Sequence, residues 1–208
     1  MGLEPRYSVV VPVHDEEEAL QELGRRLSVV LDRLDGRAEV ILVDDGSRDG
    51  SLKKMKELSA EDARFRVLEL SRNFGHQVAI TAGLDYARGE AVVVMDGDLQ
   101  HPPETIEELA QRWREGYEVV YAVRADRAGE PRLKRVTARF FYRAMGRLAE
   151  IDVPADAGDF RLVDRRAVDA FRAMRERTRY VRGMFSWIGF KQIGVPYPYE
   201  DRAGGTTK

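Results

Sequence analysis

Residues 91–104 read AVVVMDGDLQHPPE, an apolar run that ends in two carboxylates, Asp96 and Asp98, one glycine apart. The run is rich in β-branched residues and closes on turn formers, the pattern of a buried strand. Alternate side chains of an extended segment share a side, so Asp96 and Asp98 are expected to point the same way, with Gly97 allowing close backbone approach. Two hard oxygen donors at the carboxyl end of a strand suit Mg²⁺ or Mn²⁺ bridging to a diphosphate. Pro102 and Pro103 stop the strand, and Glu104 lies in the first turn of a helix. Taken alone, Asp-Gly-Asp reads equally well as a solvated turn.

Two more acid clusters decide between these readings. The apolar run YSVVVPV leads into His14-Asp15-Glu16, and EVILV leads into Asp44-Asp45-Gly46-Ser47. Ligands of open α/β sheets bind beyond the carboxyl ends of the strands. One acid there can be a cap, but three clusters at one edge repel each other unless a cation or ligand offsets them. Asp45 and Glu16 can accept hydrogen bonds from a base or ribose, leaving Asp96 and Asp98 for the metal. The chain has neither GxGxxG after its first strand nor GxxxxGK[ST] anywhere. Phosphates would then be held by a metal with Arg or Lys, which disfavours dehydrogenases and P-loop enzymes.

The elements that must carry these residues alternate. Strands are expected over 7–13, 39–43, 65–70, 91–95 and 118–123. Helices are expected over 16–34, from Asp49 or Ser51 through Leu58, and over 77–87 and 104–114. This repetition predicts an α/β chain: a mostly parallel sheet with helices on both faces, as a single domain over residues 1–208. After residue 124 the alternation fades. A helix is expected over 133–149, a short strand over 159–163 and a helix over 165–174. The stretch 188–199 reads as a strand broken by Pro196 and Pro198, and this half is expected to pack onto the same sheet.

Net charge is −2, which argues against a nucleic-acid partner. Its distribution says more: residues 124–147 hold eight Lys or Arg against two acids, a net +6 that leaves −8 for the remainder. Arg135, Arg139, Arg143 and Arg147 recur every four residues beside Phe140, Phe141 and Met145, as one helix stripe would place them. Residues 124–150 thus read either as a helix lying on an anionic membrane surface or as a core-packed helix with a solvated edge. There is no cysteine, so disulfides and thiolate metal sites are excluded. No apolar run approaches the roughly 20 residues that span a bilayer. His101 is expected to be a turn residue rather than a ligand, and His14 and His76 polar loop residues at the pocket edge. Trp113 and Trp187 are expected to pack, and Gly183, Gly189 and Gly194 to flank a flap.

VVPVHDEEE, VDDGSRDGS, SRNFGHQVAITAGLDYARGEAVVVMDGDLQHPPE and DAGDFRLVDRRAV together resemble the polyprenyl-phosphate glycosyltransferases. These are family 2 glycosyltransferases of GT-A fold, among them undecaprenyl-phosphate glucosyltransferases and dolichol-phosphate mannose synthases. The resemblance runs from Tyr7 to about Lys208. It implies metal-dependent, inverting transfer of a hexose from a nucleotide-sugar donor to a polyprenyl phosphate acceptor at the cytoplasmic face of a membrane. UDP-glucose is the donor expected from SRNFGHQ and MDGDLQHPPE; GDP-mannose, or a polysaccharide acceptor, is the alternative. By the same resemblance Pro12, Glu16 and Asp45 would contact the nucleoside, with Val43 beside the base. Asp96, Asp98 and Gln100 would hold Mg²⁺ or Mn²⁺ and the donor diphosphate. Arg124 would face a phosphate, and Asp159 matches the acid usually assigned as catalytic base. Lys134, Arg135 and Arg139 are candidates for the lipid phosphate. Arg202 and Lys208 match an R-x-x-G-x-S-K segment in which Thr207 replaces Ser. Many relatives continue into two transmembrane helices. This sequence ends inside that motif, so it is expected to be truncated ahead of them or to be a peripheral member.

Overall fold

The computed structural model describes residues 4–124, 157–176 and 179–198. Its elements in chain order are β1 (Tyr7–Val13), α1 (Leu20–Arg33), β2 (Ala38–Asp44), α2 (Ser51–Glu61), β3 (Phe65–Glu69), α3 (His76–Tyr86) and β4 (Ala91–Val94). They continue with α4 (Thr105–Arg114), β5 (Val119–Arg124), β6 (Ala157–Asp164), α5 (Arg165–Ala173), α6 (Val181–Trp187) and β7 (Gln192–Tyr197). The strands form one sheet in the order β3-β2-β1-β4-β6-β5-β7. All neighbours are parallel except β6, which runs antiparallel to both β4 and β5.

Alternation along the valine-rich strands builds two cores, one on each face of the sheet. Val9, Val11 and Val13 of β1 pack with Leu20, Leu23 and Leu27 of α1, Met55 of α2 and Ile106 and Leu109 of α4. Val10, Ile41, Val43, Val92 and Val94 pack on the other face with Ile80 and Leu84 of α3, Phe171 of α5 and Phe185 of α6. The expected α/β architecture, with helices on both faces, is what the chain adopts.

The differences from the expected elements have local causes. The helix expected from residue 16 starts at Leu20. Asp15 sits at φ 54, and the backbone amides of Asp15, Glu16 and Glu17 donate to Ser47 Oγ, Ser51 Oγ and Asp49 Oδ2. The left-handed backbone at Asp15 breaks a helical path, and the Ala19 amide closes a tight i→i+3 turn on Glu16 O at 3.1 Å before the helical ladder begins. No side chain caps the start of α1, but Leu20, Leu23 and Leu27 are fully buried. Each contributes about 2 kcal/mol, more than the ~1 kcal/mol of a missing cap.

The region expected to be a glycine-flanked flap contains helix α6. Its Trp187 is 64% exposed, against the expectation that it packs. Trp113 does pack, edge-on to Tyr7 at 5.6 Å, and its Nε1 donates to Asp164 at 2.9 Å. The strand expected over 188–199 is shortened to β7, which keeps Pro196 within it. As the last strand of the sheet, β7 tolerates a residue without an N–H. The helix expected over 133–149 lies outside the described residues.

Candidate active site

The carboxyl ends of β1, β2 and β4 open on one cleft of about 370 Å³. β1 is the strand from which the order steps to β2 on one side and β4 on the other, the switch point where open α/β sheets bind ligands. Pro12, His14, Glu16, Asp45, His76, Asp96 and Asp98 are among the lining residues. The three acid clusters therefore converge as their positions after the strands predicted.

The reason Asp96 and Asp98 converge differs from the expected one. β4 ends at Val94, and Asp96, Gly97 and Asp98 lie beyond it in a turn, so strand alternation does not set their directions. The turn is held by local bonds. Leu99 adopts φ 63, the Gln100 amide donates to Asp98 Oδ1 at 3.0 Å, and the Asp96 amide donates to His101 Nδ1 at 3.4 Å. His101 is buried, stacked on Phe160 at 5.0 Å and edge-on to Tyr197 at 5.7 Å. It is the prop behind Asp96, a more specific task than the turn position expected of it.

The loop after β3 closes the other side of the cleft. Asp45 is buried, and its two carboxylate oxygens accept from the backbone amides of Phe74 and Gly75 at 2.7 and 3.0 Å. Asn73 Nδ2 lies 2.9 Å from His14 Nε2. Gly46 allows this loop to come so close. It sits at φ +68, and a Cβ there would lie 2.5 Å from the backbone of Arg72 and Asn73. Gly46→Ala is expected to cost about 1–3 kcal/mol and to weaken nucleotide binding, because the loop that Asp45 anchors must move. Gly116 has φ +93 with open space around it, so Gly116→Ala should carry backbone strain and leave binding untouched. Thermal melting and nucleotide titration of the two variants check this contrast.

Deeper in the site a charged network surrounds Asp159 of β6. Asp159 Oδ2 lies 3.4 Å from His76 Nε2, which is also 3.4 Å from Asp96 Oδ1. Asp159 Oδ1 faces Arg182 Nε at 3.6 Å and Arg161 Nη2 at 3.9 Å. Burial alone would raise the Asp159 carboxyl. The His76 hydrogen bond and the Arg161, Arg182 and His76 charges outweigh it and bring the carboxyl down to about 2. The hydrogen bond to Asp159, opposed by burial, holds the His76 imidazole above its ordinary value. Arg161 is 3% exposed, and burial lowers its guanidinium to about 10. His76 is the first residue of α3, not a loop residue.

A cation fits beside Asp96 for a reason visible in the geometry. Asp96 Oδ1 is buried and makes no hydrogen bond, and burial is the main cause of its raised carboxyl. Glu39, at the opposite end of β2, is buried too, yet accepts from Ser8 Oγ, Arg66 Nη1, Arg88 Nη2 and the Arg88 amide. Those bonds bring Glu39 below its ordinary value despite burial. Glu39 is a saturated structural carboxylate, whereas Asp96 has spare capacity facing a cleft. Among the described residues no three His, Asp or Glu form a metal cage. Two carboxylates with the rest of the shell from diphosphate and water match how Mg²⁺ is usually bound.

The remaining expected residues are less central. Gln100 is not among the lining residues, and Val43 is fully buried in the core beneath α3. Arg124 ends β5, paired in register with Tyr197. Lys134, Arg135, Arg139, Arg202 and Lys208 lie outside the described residues. Arg161, Arg182 and Gln77 were not expected. Arg161 carried a signal: a charge inside the strand DFRLV has to meet an acid if that strand is buried.

A family model described as glycosyl transferase family 2 matches residues 8–172. The uncharacterized glycosyltransferase YkcC of Bacillus subtilis (strain 168) is 49% identical over 203 residues, 98% of this chain and 63% of that protein. A prophage bactoprenol glucosyl transferase homolog of Escherichia coli (strain K12) is 36% identical, over 98% of this chain and 66% of that protein. The chain thus spans just under two thirds of the length of these relatives. Mannosyltransferase PcManGT from Pyrobaculum calidifontis, solved with GDP-Man and Mn²⁺, superposes with a TM-score of 0.66 at 18% identity, covering 92% of this chain and 55% of that one. Glucosyl-3-phosphoglycerate synthase from Mycobacterium tuberculosis, solved with Mn²⁺, UDP and glucosyl-3-phosphoglycerate, gives a TM-score of 0.66 at 19% identity, covering 95% and 73%.

Proposed function

The chain belongs to glycosyl transferase family 2 and is a glycosyltransferase of GT-A fold; on that premise we propose that it transfers glucose from UDP-glucose to a polyprenyl phosphate, with inversion. The observation that carries the reading is the cleft itself. It sets an unsatisfied buried oxygen of Asp96 beside Asp98, with an ionised Asp159 behind His76. The glucosyl donor and lipid acceptor are supported by the 36%-identical relative, whose name specifies bactoprenol glucosyl transfer.

Pro12, Glu16 and Asp45 take the nucleoside end of the donor, and Asp96 and Asp98 are the residues that would hold a divalent cation. When bound there, Mg²⁺ or Mn²⁺ supplies neutralisation of the charge that builds on the departing diphosphate. An oxygen of the acceptor phosphate forms the new bond to the anomeric carbon as the bond from that carbon to the diphosphate breaks. A phosphate monoester has a second pKa near ~6, so this oxygen is already anionic at neutral pH and gives up no proton. Asp159 is correspondingly assigned to orienting the acceptor or stabilising the oxocarbenium-like carbon. Arg124, Lys134, Arg135, Arg139, Arg202 and Lys208 are assigned to phosphate and to an anionic membrane surface at the cytoplasmic face. No helix among the described residues is long and apolar enough to cross a membrane.

Isothermal titration with UDP-glucose, UDP-galactose and GDP-mannose, in Mn²⁺ and in EDTA, followed by transfer assays on undecaprenyl phosphate, tests the proposal. Metal-dependent binding of UDP-glucose and glucosylation of the lipid are expected. Binding indifferent to metal, or transfer only to a polysaccharide, would sink it.

A further inference from the structure

Gln77 of α3 reaches in two directions. Its Nε2 donates to Asp159 Oδ2 at 3.3 Å, and its Oε1 accepts from the backbone amide of Val181, the first residue of α6, at 2.9 Å. The second bond fixes the first: an N–H can be accepted only by the amide oxygen, so the NH₂ group must face the carboxylate. One side chain thereby joins α3, β6 and α6 at Asp159.

A carboxylate on two rotatable bonds needs such restraint. Arg161 fixes the backbone beneath it, donating from Nη2 to Gly158 O at 2.8 Å and from Nε to Asp159 O at 3.4 Å. Asp159 Oδ1 makes no hydrogen bond. Oδ1 has only the longer ion pairs to Arg182 at 3.6 Å and Arg161 at 3.9 Å, so the short-range, directional restraint falls on Oδ2, shared between Gln77 and His76. His76 also contacts Asp96, whereas Gln77 is not among the residues lining the cleft.

We propose that Gln77 is a positioning residue that holds the Asp159 carboxylate in its working direction and ties that direction to the seat of α6. The inference rests on the role assigned to Asp159 above. A purely structural Gln77 would pin α6 to α3 and do nothing more.

Gln77→Glu separates the two tasks. It keeps an oxygen for the Val181 amide but replaces the donor to Asp159 with a second carboxylate. Gln77→Leu removes both bonds. Both variants are expected to lower kcat roughly tenfold or more, as small misplacements of a reacting group do, while KM for the donor stays within about twofold. The thermal midpoint should fall for Gln77→Leu at every pH, whereas for Gln77→Glu it should fall at high pH and recover toward wild type as the introduced carboxyl takes up a proton. The groups facing the introduced carboxyl are Asp159, Arg161, Arg182, His76 with Asp96 behind it, and Tyr180 beside Val181. Protonating it restores a donor, so the ratio of Gln77→Glu to wild-type kcat should rise as pH falls from about 8 to about 5. Wild-type kcat in Gln77→Glu, alongside a crippled Asp159→Asn, overturns the inference and leaves the reading of Asp159 standing. Wild-type kcat in Asp159→Asn removes that reading and the positioning role together.

Discussion

Asp96→Asn and Asp98→Asn should each lower turnover by roughly 10³-fold or more, the scale of losing a preorganised charge partner of the leaving group. Asp96 is the carboxylate whose buried Oδ1 has no hydrogen bond, its protein partners being the imidazoles of His76 at 3.4 Å and His101 at 3.5 Å, which leaves capacity for a cation. The amide oxygen of Asn keeps the shape and discards that charge. UDP binding in Mn²⁺ should weaken in both variants, whereas binding in EDTA should match wild type. Stability should move the other way: burial is what pushes the Asp96 carboxyl up, so its ionised form burdens the metal-free fold. Asp96→Asn should therefore melt at or above the wild-type temperature in EDTA. Turnover within tenfold of wild type in either variant, surviving chelation, would remove the metal from the reaction.

Asp159→Asn should lower kcat by roughly 10²–10³-fold, and by the same factor at every pH from about 6 to 9. A carboxyl held at about 2 stays ionised over this range and is a poor proton acceptor at neutral pH. The phosphate acceptor needs no base, so raising the pH should not restore the variant. Rescue at high pH would instead identify Asp159 as a general base. The same exchange should cost stability, because it leaves Arg161, 3% exposed, without its counter-charge. A folded carboxyl at about 2, against an ordinary 3.8, corresponds to about 2 kcal/mol. The sign follows from the depressed value. This stability is present above about pH 4 and is lost as pH falls from about 4 to about 2. Acid unfolding of the variant should lack that limb, and its melting point near neutral pH should fall by about 4–8 °C.

The contrast between Asp96 and Asp159 shows what kind of information each required. Asp96 could be found from sequence pattern, once the valine run closing on Asp-Gly-Asp is set beside the acids that follow the other two apolar runs. Asp159 was reached only through resemblance to a family. Within DAGDFRL only Arg161 hints at a partnering acid, because the other cations that hold Asp159, His76 and Arg182, come from α3 and α6. Gln77 and Arg182 gave no local signal at all: a glutamine in a helix start and an arginine near an aromatic stretch are ordinary surface residues until α3 and α6 meet.

Local periodicity determined the repeating strand–helix units, the two-faced core and the placement of acids beyond β1, β2 and β4. These follow from side-chain spacing and burial, which neighbouring residues encode. Only the tertiary structure decided that β6 enters antiparallel between β4 and β5. That insertion sets Asp159 and Arg161 behind the cleft, and α6 then brings Arg182 to them. The pairing of distant strands depends on how whole faces fit and on where buried charges find partners, a global condition that no short window of sequence contains.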